Sequence, residues 1–140
     1  MEMSESERIR CVVMRGGTSK ALFFHENDLP SDVESRDRVI LKAFGSPDIR
    51  QIDGLGGANS STSKVAIIGV SEKEGADIDY SFGQVSLDLP IVGKEMNCGN
   101  ISSAVGPFAI DEGLVKAIEP ITTVRIFNTN TEKIIVAHVP

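Results

Sequence analysis

Apolar and polar positions along this chain follow several periods in turn, and each change of period marks an element. Arg8 to Met14 is apolar and β-branched and reads as a strand. Ala21-Leu-Phe-Phe24 resumes a strand after the polar loop Arg15-Gly-Gly-Thr-Ser-Lys20, so the two runs predict a hairpin. From Leu29-Pro-Ser-Asp the period lengthens. Ser31 or Asp32 stands where a helix cap belongs, and Val33, Ile40, Leu41 and Phe44 recur at near-helical spacing until Gly45-Ser-Pro47 ends the run. A long loop of glycines and hydroxyls, Ile52 to Ser63, opens directly into Lys64-Val-Ala-Ile-Ile68, which reads as a buried strand.

After the charged turn Ser71 to Asp77, the residues Ile78, Tyr80 and Phe82 alternate with polar neighbours. That alternation predicts a half-buried antiparallel strand, which Val85 to Leu89 continues. Ile101 to Ile110 contains no charge and reads as a helix covered on every face. Pro107 lacks a backbone donor and crowds the Ser103 carbonyl, so a kink or short break is expected there, with Gly113 as the C-terminal cap. Thr122–Phe127 and Lys133–Val139 make a last hairpin around Asn128-Thr-Asn130. The expected fold class is α+β: mostly antiparallel strands with one exposed helix and one enclosed, apolar, central helix.

Charge narrows the functional classes. A net charge of −6 over 140 residues argues against nucleic acid and anionic membrane surfaces as partners. No apolar run approaches the roughly 20 residues that cross a bilayer. The acidic start, Met1 to Glu7, lacks the apolar centre of a secretion signal and reads as a frayed tail ahead of a domain at 8–140, so a cytoplasmic location is expected. Two cysteines, Cys11 and Cys98, and two scattered histidines, His25 and His138, have no zinc spacing, and no metal is expected. Cys11 lies in a strand-like apolar run and reads as packing; a Cys11–Cys98 disulfide is not expected in such a chain.

The candidate chemistry gathers at three places. Cys98, within Asn97-Cys-Gly-Asn100, stands at the entrance of the uncharged helix. Free backbone N–H groups and the positive end of the helix dipole converge there, a setting that favours a thiolate and collects anions. Gly99 lets backbone amides approach a ligand, and Asn97 and Asn100 can orient polar groups. Lys64 lies between a glycine loop and a buried strand, where partial desolvation would favour its neutral, basic form; an edge lysine snorkelling to water is the plainer alternative. The loop Arg15–Lys20 carries the glycines, hydroxyls and cations of a carboxylate or phosphate cradle, though it could equally be a simple hairpin turn, and it lacks the spacing of a nucleotide P-loop; Gly54–Ser63, long and built of small residues, reads as a ligand wall.

Three segments in order closely resemble the PrpF family: Met14-Arg-Gly-Gly-Thr-Ser-Lys20, Asp53-Gly-Leu-Gly-Gly-Ala-Asn-Ser-Ser-Thr-Ser-Lys64 and Asn97-Cys-Gly-Asn-Ile-Ser-Ser-Ala-Val-Gly-Pro-Phe-Ala-Ile110. That family isomerises unsaturated di- and tricarboxylates and includes methylaconitate and methylitaconate isomerases and oxalomesaconate tautomerases. The resemblance runs from about Ile9 onward. It implies a diaminopimelate-epimerase-like fold, in which two similar domains each wrap a sheet around a central helix. It implies Lys64 and Cys98 as the catalytic acid–base pair, acting without a cofactor. Arg15, Gly17, Thr18, Ser19, Asn59, Ser60, Ser61, Asn97, Gly99 and Asn100 would hold a small unsaturated polycarboxylate. Members of the family are far longer, so this chain is expected to be the N-terminal domain, with the second domain absent, its interface exposed as an apolar patch and the whole a homo-oligomer. Two other readings remain open at this point: half of a cofactor-independent amino-acid racemase or epimerase, and a non-catalytic fragment that binds small acids.

Overall fold

Each of the two helices carries the chain from one strand to a parallel neighbour, and they do so on opposite faces of one sheet. The structure is a computed structural model and describes residues 6–95 and 97–140. The first five positions of the expected tail lie outside the described residues. Strand β1 (Val12–Gly16) turns through Gly17 and Thr18 into β2 (Ser19–His25), with Gly16 opposite Ser19. The turn is tighter than the sequence suggests: Arg15, Gly16, Ser19 and Lys20 all belong to strands, and the first strand begins at Val12 rather than Arg8. Gly17 takes φ 53°, the sign that a two-residue hairpin needs to match strand twist.

Helix α1 (Val33–Phe44) starts where the sequence placed it. The Asp32 carboxylate accepts the Ser35 N–H at 2.9 Å, and Gly45 closes the helix at φ 80°. The helix delivers the chain to β3 (Lys64–Val70), parallel to β2, and β4 (Ile78–Val85) then runs back antiparallel. The expected continuation to Leu89 does not form. Ser86 instead donates its N–H to the Ile91 carbonyl at 3.0 Å, and short β5 (Val92–Gly93) returns along β4. Helix α2 (Gly99–Asp111) crosses to β6 (Thr122–Asn128), parallel to β4, and β7 (Lys133–Val139) closes the last hairpin. The order is β1-β2-β3-β4-β6-β7, with β5 beside β4. The sheet is therefore mixed. Hairpins supply its antiparallel pairs, but a helical crossover returns the chain in the same direction, which is why β2 pairs with β3, and β4 with β6, in parallel.

The two faces bury separate cores. Ile40 and Phe44 of α1 pack with Leu22, Phe24, Val65 and Ile67. Ile101, Val105 and Phe108 of α2 pack with Phe23, Ile68, Tyr80, Phe82, Val124 and Ile126. Strands β2 and β3 are covered on both sides, so their sequences are unbroken apolar runs rather than alternations. The α2 face curls: the helix touches β1 and β7, the two edges of the sheet, so the sheet bends around it as a half-barrel. A Cβ added at Gly106 would meet Val139 Cγ2 at 3.0 Å, which is how near β7 comes.

Enclosure is incomplete. Asn100, Ser103 and Asp111 are exposed, and Pro107 and Ile110 half-buried, so one stripe of α2 stays open between the sheet edges. The helix passes through Pro107 without the expected break. The Ser103 carbonyl that Pro107 cannot satisfy belongs to that open stripe, where water can reach it. Gly113, at φ 74°, sits one residue beyond the Glu112 cap, and its N–H reaches the Ile110 carbonyl at 3.1 Å. Both cysteines are free, and they pack on opposite faces of the sheet. Exposed large apolar residues include Ile118, Ile121, Ile134 and Val136. Among the described residues no helix is long and apolar enough to cross a membrane.

Phe108 is 1% exposed and stacks against Phe23 at 5.2 Å between ring centres. Phe108→Ala is expected to cost about 3–5 kcal/mol in urea unfolding, since both the apolar surface and its packing are lost. Gly16 tests a different constraint. A Cβ there would overlap the Asn100 carbonyl oxygen, and backbone on both sides leaves nothing to yield. Gly16→Ala should destabilise by about 1–3 kcal/mol. Gly99→Ala, which meets nothing within 4 Å, should remain within about 0.5 kcal/mol of the parent.

Candidate active site

Cys98 occupies the cap position of α2 in extended conformation (φ −114°, ψ 107°), and its side chain does no capping. By the geometry of a helix, the N–H groups of Gly99 and Asn100 have no acceptor within α2. The thiol is half-buried, with Sγ 3.8 Å from the buried Ser19 Oγ of β2. The Cys98 carbonyl accepts from Ser102 twice, from N–H at 3.0 Å and Oγ at 2.9 Å. The hairpin turn of β1 and β2 rests directly on this helix end. Neither Gly16 nor Gly17 has room for a Cβ against Asn100, and Asn100 Nδ2 donates to Thr18 Oγ1 at 3.1 Å. Gly17, Thr18, Ser19, Cys98, Gly99 and Asn100 thus form one continuous surface.

Lys64 opens β3 beside Ala21 of β2 and Gln84 of β4. It lies on the α2 face: its Nζ stands 5.4 Å from the centre of the Phe82 ring, and Ala66, two residues on, is part of the α2 core. Nζ donates to Gln84 Oε1 at 2.7 Å. The amide of Gln84 also donates to the Ser60 and Ser63 carbonyls, at 2.9 and 3.0 Å, and so ties the lysine to the glycine loop. Lys64 and Cys98 therefore share a face of the sheet and flank the end at which β2 and β3 begin. Tyr80 forms the floor beneath. It is fully buried, and its hydroxyl lies near Ser102 without a hydrogen bond of normal geometry. Burial pushes the phenol well above its ordinary range, against a smaller opposing effect of the Ser102 hydroxyl, and charge on Cys98 adds to the rise. Tyr80 is thus a neutral phenol at any physiological pH.

The remaining sequence candidates are placed less uniformly. Asn59 caps a short 3-10 turn, Ser60–Thr62, with its Oδ1 accepting the Ser61 N–H and Oγ at 3.0 and 2.8 Å, so Asn59 and Ser61 largely satisfy each other. The turn itself contacts β2, which brings the glycine loop alongside the Cys98 surface. Buried Gln51 braces that loop, donating to Ser63 Oγ at 2.8 Å and accepting the Ala58 N–H at 2.8 Å. Arg15 is exposed. Its register partner is Lys20, and strand alternation puts both on the face opposite Met14 and Ala21. Asn97 is exposed, and its Oδ1 accepts from Asn128 Nδ2 at 2.8 Å.

Gln84, Tyr80 and Asn128 escaped sequence reasoning, yet a signal exists for two of them. In β4 the inward series Ile78, Tyr80, Phe82 is followed by Gln84, and in β6 Val124, Ile126 is followed by Asn128. A polar residue at the next inward position of an apolar alternation is one that must find a buried partner. A further hollow, about 320 Å³, lies on the α1 side between Arg36, Asp37, Ile67, Ser81, Lys94 and Asn130. Lys94 pairs with Asp37 there. None of the sequence-predicted site residues lines it. Among the described residues no cluster of three or more His, Cys, Asp or Glu side chains is placed to hold a metal ion.

Comparison with known proteins supplies the lineage. The chain is 61% identical over 137 residues to 3-methylitaconate isomerase of Eubacterium barkeri, covering 98% of this chain and 36% of that protein. It is 56% identical over 133 residues to 4-oxalomesaconate tautomerase of Pseudomonas putida, covering 95% of this chain and 37% of the relative. A crystal structure of methylitaconate-delta-isomerase superposes with a TM-score of 0.94 at 60% identity, over 96% of this chain and 35% of the other. The chain thus spans about a third of the length of these relatives. The model of the family described as PrpF protein matches residues 6–140, and the chain belongs to that family.

Proposed function

We propose that this chain carries one wall of the active site of a cofactor-independent isomerase that shifts a C=C bond in small unsaturated di- or tricarboxylates, methylitaconate and methylaconitate among them. The observation that supports this most strongly is the common position of Lys64 and Cys98. They share one face and one end of the sheet, beside a helix entrance with free N–H groups and a hairpin turn pressed against it.

A hydrogen on carbon next to a C=C–carboxylate unit is weakly acidic. One of Lys64 and Cys98 removes it, the electron pair moves into a new double bond, and the old double bond opens toward the carboxylate as a dienolate. The other group returns a proton at the far carbon, so the reaction is balanced with no external reagent. The Gly99 and Asn100 amides meet the developing negative charge, where fixed donors need no reorganisation. Thr18, Ser19 and the Ser60–Ser61 turn hold remote carboxylates, and Arg15 draws the anion toward the hairpin rim of an otherwise acidic chain. As part of this proposal, the fold is diaminopimelate-epimerase-like, a second domain provides the opposite wall, and the enzyme works in the cytoplasm.

Proton NMR of the full-length protein in deuterated water, with methylitaconate as substrate, tests the reading. Cys98→Ser should lower both double-bond migration and solvent-deuterium incorporation by about a hundredfold or more while the circular dichroism spectrum stays unchanged. Turnover within a few-fold of the parent would remove Cys98 from the chemistry.

A further inference from the structure

The segment that delivers Cys98 is held at both ends by one distant turn. After β5, Lys94, Glu95 and Asn97 lie outside regular structure. The course of this stretch fixes where the thiol sits.

Two asparagines of the turn between β6 and β7 restrain it. Asn130 presents its amide edge to β4 as a strand would: its Oδ1 accepts the Phe82 N–H at 2.8 Å, and its Nδ2 donates to the Phe82 carbonyl at 2.9 Å. The same Nδ2 donates to the Lys94 carbonyl at 2.8 Å, so a side chain extends the β4–β5 pairing by one step. Asn128 is fully buried and sits opposite Tyr80 in the β4–β6 register. Its Oδ1 accepts the Asn130 and Thr131 N–H groups at 2.9 and 3.2 Å, which sets the turn. Among the described residues its Nδ2 donates to Asn97 Oδ1 at 2.8 Å, an oxygen that also receives a longer contact from Ser102 Oγ at 3.4 Å. Asn97 is the residue immediately before the thiol.

We infer that Asn128, supported by Asn130, is a positioning residue: it fixes Asn97 and through it the direction of Cys98. The inference rests on the reading that Cys98 transfers a proton. Buried amides satisfied on both oxygen and nitrogen are costly to rearrange, and this one uses its nitrogen on the side chain of the residue just before the reacting thiol. A purely structural turn would need only the Oδ1 contacts. Small displacements of a proton-transfer group are expensive, about a hundredfold for roughly 1 Å.

The full-length protein gives the test through a double-mutant cycle. Asn128→Ala should lower kcat about ten- to a hundredfold with KM changed by less than about threefold. Asn97→Ala should do likewise, and the double variant should be no worse than the poorer single one, because both act through one contact. Iodoacetamide alkylation of Cys98, with Cys11 as internal reference, should accelerate several-fold in each variant, since the thiol loses its fixed orientation. If Asn128→Ala melts the protein, Asn97→Ala carries the same kinetic and alkylation comparison from an exposed position. Losses that multiply in the double variant, or alkylation and kcat both unchanged, would overturn the inference. Faster alkylation with unchanged kcat would support the clamp and overturn instead the catalytic assignment of Cys98.

Discussion

The structure depends on one close approach: the glycine turn of the first hairpin lies directly on the first residues of α2. A Cβ at Gly16 would overlap the Asn100 backbone and one at Gly17 the Asn100 side chain, so the turn lies against both the backbone and the side chain of the helix start. Glycine contributes here through absence of a Cβ as well as through positive φ. The contact places hydroxyls of the turn beside free N–H groups of the helix and leaves Cys98 between them. It also seals one end of the α2 core, where Tyr80 lies buried below the thiol.

Around that contact the sheet sorts chemistry by face. Parallel pairing of β2 with β3 brings Ser19 and Lys64 to the same end, because parallel strands start together. Alternation then separates neighbours in sequence. Lys64 goes to the α2 side and Val65 to the α1 side; Cys98 packs with the first core and Cys11 with the second. Burial pushes the Cys11 thiol up, which disfavours its thiolate. The two cysteines thus differ in environment as the sequence implied, and the sheet lies between them.

Much of this was legible before any coordinates. The α1 cap at Asp32, the stop at Gly45, the last hairpin and the three motif segments all follow from local rules, because caps and turns are set by residues within a few positions. What was less legible is long-range. That both helices act as parallel crossovers could not be read from strand patterns alone, since an apolar run such as Lys64 to Ile68 reports cover on both faces and β3 has a parallel neighbour on one side and an antiparallel one on the other. The open stripe of α2 was missed because an uncharged helix is silent about how far its sheet wraps. Gln84 and Asn128 each interrupt an apolar alternation, which marks them as needing a partner, but neither they nor Asn130 reveals which partner from its own neighbours. Their partners Lys64, Asn97 and Lys94 are 20, 31 and 36 positions away. Where the side chain of Arg15 belongs is likewise decided by its register against Lys20, not by its motif.

Amide chemical shifts of the ¹⁵N-labelled protein, followed as methylitaconate is added, report whether the ligand binds where the hairpin turn meets α2. The largest changes are expected at Gly16 to Ser19, Gly99 and Asn100, with smaller ones at Ser60 and Ser61. Changes confined to Arg36, Asp37 and Lys94 around the hollow on the α1 face, or none at all at millimolar ligand, would contradict that placement.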